Sequence, residues 1–363
     1  MNVAFFGSSL VSSYWNGAAT YYRGLLKAFA ELGHNITFFE PHAFERQRHR
    51  DIPDPDWARV VVYPATTEGW QSALDHAVGE ADLIVKASGV GVFDTELELA
   101  VPAAVGGLMM SAFWDVDAPA TLETIAADPH HHLRKAIPRY DAVFTYGGGL
   151  PVVSAYLDLG ARQCVPIYNG VDPTTHYPVA ARQDLACDLN FLGHRLPDRE
   201  ARVEEFFIKP AQQRSRRRFI LGGAGWETKP LPDNVLFLGH IGTADHNAFF
   251  CSALATLNIN RESMVRYGFS PPTRVFEAAA AGTCIITDAW QGIELFFEPG
   301  REILVAHSGE SVADILDRLT RDEASRLGEA ARRRVLAEHV YARRAGEFAR
   351  ILQGYARTHE AAA

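Results

Sequence analysis

The sequence predicts an α/β protein of two domains, each an open parallel sheet with helices packed on it. Three observations predict it. The chain has 363 residues, whereas an ordinary domain runs to roughly 100–200. Its beginning reads as a strand, a loop, a helix and a second strand. Short apolar runs then alternate with helical stretches in two series, separated by a proline-bearing linker at residues 172–182.

The opening unit sets the pattern. Residues 3–6 are a short apolar strand. Residues 17–32 carry Tyr21, Leu25, Ala28, Phe29 and Leu32 on one helical face. Gly33 stands where a helix C-cap glycine belongs, and residues 36–39 form the next strand. Such units impose a parallel sheet with right-handed crossovers. Further strands are expected at 60–63, 83–86, 107–113, 142–145 and 164–167, with helices such as 70–78 between them. The second series has strands at 188–192, 218–221, 235–238, 255–259 and 284–287. Pro173 and Pro178 lie in the linker, which lacks periodicity and places the boundary between domains 1–178 and 179–341. From Ser311 onward the chain reads as charged helices.

Composition narrows the class. Apolar residues make up 47% and charged residues 22%, the balance of a soluble globular protein. The net charge of −9 argues against a nucleic-acid partner, which needs concentrated positive charge. The basic run at 214–218 reads as a solvated helix end. No apolar stretch approaches the ~20 residues of a transmembrane helix, and the N-terminus reads as a strand without a cationic leader. A cytoplasmic location is expected. Cys164, Cys187, Cys251 and Cys284 offer neither a disulfide framework nor CxxC metal spacing.

Two segments carry chemistry. After the first strand, Gly7-Ser8-Ser9 and then Tyr14, Trp15, Asn16 and Gly17 lead into a helix N-terminus, whose free N–H groups suit a phosphate or polar ligand. The GxGxxG fingerprint is absent, so Glu40 is not expected to act as the acidic ribose ligand of an NAD site. The second segment is residues 260–304. Pro271 and Pro272 are tolerated only at a helix's first turn, so a helix starts there and Gly282 ends it. Glu277 then lies about one turn in, where it can accept two ribose hydroxyls while Arg274 and the N-terminal amides hold a diphosphate.

The pattern Gly268-Phe269-Ser270-Pro271, Arg274-Val275-Phe276-Glu277-Ala278, Gly282, Thr287-Asp288 and Glu298-Pro299-Gly300-Arg301-Glu302-Ile303-Leu304 resembles the C-terminal domain of the CgeB-like glycosyltransferases. These belong to the wider GT-B group, which resembles the retaining family-four-type transferases. The resemblance covers most of residues 185–340 and, more weakly, 1–170. It implies a GT-B fold: two Rossmann-like domains facing each other across a cleft, with the last helix, 342–363, packing back on the first. It also implies that Glu277 contacts the donor's ribose. A second glutamate often stands eight residues earlier in that group and touches the sugar. Here Phe269 occupies the position, a departure from the pattern.

Further residues take implied roles. Asn169-Gly170-Val171-Asp172 is similar to the turn that ends the first domain. Arg195 and Arg199 follow the second domain's first strand, where similar enzymes place diphosphate-binding cations. His240 and Ile241 follow the strand whose loop cradles the donor base. Ser270 and Thr273 complete the donor loop. Asp115 and Asp117, in Trp114-Asp115-Val116-Asp117, could hold a metal as a DxD pair. GT-B members generally work without one, so acceptor binding or general-base help is expected, with helix capping by Asp117 as the alternative. The run His130-His131-His132 reads as a surface segment.

The sequence therefore points to a glycosyltransferase that uses a nucleotide-diphosphate sugar as co-substrate, with no other cofactor and no metal. The acceptor could be a carbohydrate, a small molecule or a protein. Asp115, Asp117 and Arg195 are the catalytic candidates. The donor-side candidates are Arg199, His240, Ile241, Ser270, Thr273, Arg274 and Glu277. A nucleotide-sugar epimerase, or a non-catalytic sugar- or nucleotide-binding protein of the same fold, remain as alternatives.

Overall fold

The computed structural model describes residues 1–106 and 109–362, the side chains of 356–362 excepted. The chain divides into two units, Met1–Tyr168 with Tyr341–Ala363, and Asn169–Val340.

The first unit holds β1 (Asn2–Phe6), β2 (Asn35–His42), β3 (Ala58–Pro64), β4 (Leu83–Ala87), β5 (Met110–Asp115), β6 (Ala142–Thr145) and β7 (Cys164–Pro166). They form one sheet in the order β3-β2-β1-β4-β5-β6-β7, with every pairing parallel. Helices cover both faces of such a sheet, so central strands read as unbroken apolar runs. Accordingly Val3–Phe6 and all of β4 are buried. The first helix is Ala19–Glu31 and buries Tyr21, Tyr22, Leu25, Leu26, Ala28 and Phe29. Leu32, expected on that face, is instead the half-exposed C-cap. Gly33 follows with a φ of +89°, which its missing Cβ permits. Of the strand expected at 107–113, β5 supplies the part from Met110; Gly107 and Leu108 lie outside the described residues.

The last helix, Tyr341–Ala362, packs on the first. Phe348 sits with ring centroids 4.8 Å from Phe29 and 5.0 Å from both Trp114 and Phe144. Gly24 lies mid-helix at the crossing, where an added Cβ would stand 2.0 Å from the Tyr341 ring. The two helices approach that closely only because the position has no side chain.

The second unit holds β8 (Cys187–Leu192), β9 (Phe219–Gly222), β10 (Val235–Gly239), β11 (Ala253–Asn258), β12 (Ile285–Asp288) and β13 (Leu304–Ala306). Its sheet runs β10-β9-β8-β11-β12-β13, again all parallel. The three-residue β13 has no sequence signal of its own; it is recruited by pairing with β12. The expected boundary after residue 178 falls inside this unit. Asn169 is tied there by hydrogen bonds with the Pro271 carbonyl and the Thr273 hydroxyl, each 3.0 Å, and Val171 bridges to Val340.

In both sheets the strand order reverses beside the first strand of the unit, between β1 and β4 and between β8 and β11. Open α/β sheets bind ligands outside the carboxyl ends of their strands at such a point.

Candidate nucleotide site

Three loops meet at the carboxyl end of the second sheet. Gly193 and His194 follow β8, Gly223 to Gly225 follow β9, and His240 and Ile241 follow β10. A Cβ on Gly223, whose φ is +118°, would stand 2.2 Å from the Gly193 carbonyl oxygen. A side chain there would force the loops apart. The Gly193 carbonyl also accepts a 2.8 Å bond from the Trp226 indole. His194 Nδ1 accepts from the Ala224 N–H at 3.1 Å. Burial, with Arg199 adding to it, pushes the His194 imidazole down to about 4, so it is neutral at physiological pH. Its ring lies parallel to that of His240 at 6.4 Å, and Ile241 packs over Gly222.

Two guanidinium groups flank this loop. A Cβ on Gly193 would lie 3.0 Å from Arg274 Nη2 and 3.2 Å from Arg199 Nη1. Arg199, in the helix Pro197–Val203, donates to the His194 carbonyl at 3.2 Å. Arg274, in the first turn of the helix Thr273–Ala280, donates to Asn258 Oδ1 at 3.1 Å and lies over the Phe191 ring at 5.0 Å. Desolvation, then the positive charge of Arg199, pushes Arg274 down to about 9. Two cations held side by side repel, and an anion bound between them relieves the cost of both.

The helix begins at Thr273, directly after Pro271 and Pro272, and Glu277 lies three residues beyond Arg274, on the same face. Glu277 is buried, and its Oε1 has no hydrogen-bond partner. His176 Nε2 lies 3.8 Å from Oε1, and His246 Nδ1 lies 3.9 Å from Oε2. Both distances exceed hydrogen-bond reach. Burial lowers the pKa of His246, against the opposing pull of Glu277. Ser270 and Thr273 shape the loop: the Ser270 hydroxyl donates to the Gly268 carbonyl at 2.9 Å, and that of Thr273 to Asn169. Phe269 has a φ of +49°, a conformation that costs a bulky residue of order 1–3 kcal/mol. Its N–H bonds to the Gln291 carbonyl at 2.7 Å, and its ring lies over Gly292, where a Cβ would stand 2.2 Å away. Asn258 also donates to Asn260 and Thr287. Asn260 and Arg202 bond in turn to the buried Asp288.

Arg195 is placed differently from Arg199 and Arg274. Its fork is engaged by Glu200, at 2.8 and 2.9 Å, and its remaining arm reaches the Thr228 hydroxyl at 3.2 Å. With both carboxylate oxygens taken in this way, it serves the turn leading into the next helix.

In the first unit, Asp115 does not stand open at the strand end as the sequence suggests. It is fully buried. Its oxygens accept from Ser88 at 2.7 Å, Thr121 at 3.0 Å, the Asp117 N–H at 2.9 Å, and the Tyr156 hydroxyl. Three donors converge on Oδ1 and the Tyr156 hydroxyl on Oδ2, so the buried carboxylate organises the turn after β5. Asp117 is half-buried at the N-cap of Ala118–Ala127, without a side-chain capping bond. Burial raises Asp115 from the ordinary 3.8 to about 6. The folded state therefore takes up this proton first. The group's contribution to stability is full below about pH 4 and is lost as pH rises through 6. Asp115→Asn is expected to abolish that slope and to cost about 1–3 kcal/mol through mismatched donors. Urea denaturation at pH 4 and pH 7 measures both effects, and nucleotide affinity should stay unchanged.

The loop after β1 is stitched by Asn16, which donates to the carbonyls of Ser9 and Ser12 and accepts from Ser8. Tyr14 stacks on His49, Trp15 is 49% exposed with a φ of +47°, and Gly17 is open. Glu40 is buried and accepts from Ser9, the Leu10 N–H and Gln47. It clamps this loop. His132 bonds to Glu98 at 2.5 Å and stacks on His131.

Sequence reasoning passed over His176, His246, Asn258 and Gly193. Asn258 ends a strand at the switch point and could have been sought there. The two histidines are scattered singly in the sequence, and only the fold brings them to Glu277.

Two parallel-sheet Rossmann-like units, each with its strand order reversed beside its first strand, make up the GT-B fold. Residues 199–350 match the family described as glycosyl transferase-like. No curated protein sequence matches the chain. Among solved structures it is similar to sucrose-phosphate synthase from Thermosynechococcus elongatus, at 17% identity and a TM-score of 0.72, covering 98% of each chain. It is also similar to Anabaena HepE in complex with UDP-glucose, at 14% identity and a TM-score of 0.68, covering 98% of this chain and 100% of that one. A third is AviGT4, a glycosyltransferase involved in avilamycin A biosynthesis, at 16% identity and a TM-score of 0.62, covering 100% and 99%.

Proposed function

We propose that the chain is a CgeB-like glycosyltransferase that moves a glycosyl group from a uridine diphosphate sugar to an acceptor hydroxyl. The observation that carries this reading is the Arg199–Arg274 pair beside Gly193, with the Glu277 carboxylate on the same helix face as Arg274. The arginines take the diphosphate, Glu277 takes the ribose hydroxyls, and the loop at His240 and Ile241 takes the base. The choice of uridine follows HepE, whose complexes hold UDP and UDP-glucose.

In transfer, the bond from the anomeric carbon to the diphosphate oxygen breaks and its electron pair leaves with the diphosphate. The acceptor oxygen bonds to that carbon and gives its proton to the departing diphosphate. The two guanidinium groups stabilise the charge that develops on the leaving group, a task for which other transferases use a metal. Catalysis is proposed to need none. Retention rests on the resemblance to family-four-type enzymes. The first unit is assigned the acceptor, through the loop bearing Tyr14, exposed Trp15, Asn16 and Gly17, with Asp117 as its acidic group. The four cysteines are unpaired thiols, which suits the reducing cytoplasm.

The test is a thermal-shift series of nucleoside diphosphates, followed by incubation with UDP-sugars in EDTA. UDP should raise the melting temperature, since a ligand of the native state stabilises it. UDP should also be released from a matching donor. If no nucleoside diphosphate shifts the transition, the reading fails. A rearranged sugar without UDP release would make the chain an epimerase. Turnover lost in EDTA and restored by manganese would refute metal independence.

A further inference from the structure

His176, His246 and Glu277 come from three separate segments of the second unit: the stretch after Asp172, the helix His246–Cys251 and the helix Thr273–Ala280. One ligand atom from each lies within 4.8 Å of the other two. His176 Nε2, His246 Nδ1 and Glu277 Oε1 are all buried without a hydrogen-bond partner. Three unsatisfied polar atoms in one place are costly, and buried groups of this kind call for a common partner.

The Thr175 hydroxyl bears on the tautomer of His176. The Thr175 hydroxyl donates its single proton to the Asp172 carbonyl at 3.0 Å. In that arrangement it accepts from His176 Nδ1, also 3.0 Å away. The Nδ1–H tautomer leaves a lone pair on Nε2, and that lone pair lies 3.8 Å from a carboxylate oxygen. A cation between two acceptors opposed at this distance satisfies both. The Thr175 contact is also the outer-shell partner that metal-bound histidines ordinarily have.

We propose that His176, His246 and Glu277 form a three-ligand site for a divalent ion of the zinc class. Two imidazoles and one carboxylate are a donor set for zinc, not for magnesium or calcium, which take oxygen ligands. Bonds of about 2.0–2.1 Å around a tetrahedral ion put ligand atoms about 3.4 Å apart; His176 Nε2 is 3.8 Å from Glu277 Oε1, His246 Nδ1 is 3.9 Å from Oε2, and one ligand atom from each residue lies within 4.8 Å of the others, so side-chain shifts close the site. Three protein ligands leave the fourth position open. The consequence rests on the nucleotide reading above: Glu277 is shared, so zinc withdraws the carboxylate from the ribose, and metal and nucleotide bind in competition. The site is inhibitory, which is compatible with transfer in EDTA.

The experiment uses the metal-stripped full chain, titrated with zinc by calorimetry and checked by metal analysis. Cobalt serves as a spectroscopic probe of tetrahedral coordination. One zinc per chain is expected. His176→Gln and His246→Gln, confirmed folded by circular dichroism, should each weaken binding by more than the roughly 10–100-fold that loss of an outer-shell partner costs. His130→Ala, at an exposed histidine of the first unit, should bind zinc as wild type does. Absence of zinc binding by the wild type, or equal binding by the histidine variants, overturns the proposal. UDP should weaken zinc binding by the same factor that zinc weakens UDP binding. Zinc that depends on both histidines yet is indifferent to UDP upholds the metal site and removes the ribose from Glu277. A chain that binds no zinc but loses UDP on Glu277→Ala does the reverse.

Discussion

Arg274→Met is expected to lower turnover by about 10²–10³-fold, the scale of removing one preorganised donor from a developing negative charge. Methionine keeps the apolar stem that lies over Phe191 and removes only the fork. Ground-state affinity for UDP should fall less, by about 1.5–3 kcal/mol, the range for a hydrogen bond to a charged group. The larger effect on turnover arises because charge on the diphosphate grows as the sugar leaves. A purely structural role would show itself otherwise. Among the described residues the Arg274 side chain hydrogen-bonds to Asn258, so Asn258→Ala should reproduce a loss of stability but not the loss of turnover. A folded Arg274→Met enzyme with wild-type kcat would remove the arginine from the reaction.

Glu277→Ala is expected to weaken UDP by about 1–3 kcal/mol, and the loss should be specific to the ribose. Wild-type protein should discriminate UDP from its 2′-deoxy analogue, and the variant should bind the two alike. This double comparison separates a contact from a general disturbance, because a distorted loop would weaken both nucleotides and keep their ratio. Competition binding with a fluorescent nucleotide provides the four constants. Persistent discrimination in the variant would place the ribose elsewhere. The expected magnitude is large for one carboxylate because Glu277 is already desolvated and its Oε1 is without a partner, so little is given up when a hydroxyl arrives.

The residues proposed for the donor were legible because their signals are local. Two consecutive prolines fix a helix start, and the i, i+3 spacing puts Arg274 and Glu277 on one face whatever surrounds them. Arg199 was found by its place after β8. Arg195 was named with it, but an acidic partner five residues on, Glu200, holds its fork. Asp115 shows the same limit. Its place at a strand's end is visible in the sequence. The donors that close around it come from Ser88, Thr121 and Tyr156 on other elements.

The sequence by itself determined the α/β class, the two series of strands, the Pro-started helix and the arginine and glutamate it carries. Each follows from periodicity or backbone chemistry within a few residues. Tertiary structure alone decided the short β13, the seat of Asn169 in the second unit, the strained Phe269 over Gly292 and the meeting of His176 and His246 at Glu277. The physical reason is the same in each case. A hydrogen bond, a close approach or a shared buried charge joins residues tens of positions apart, and no local pattern encodes which of them will meet.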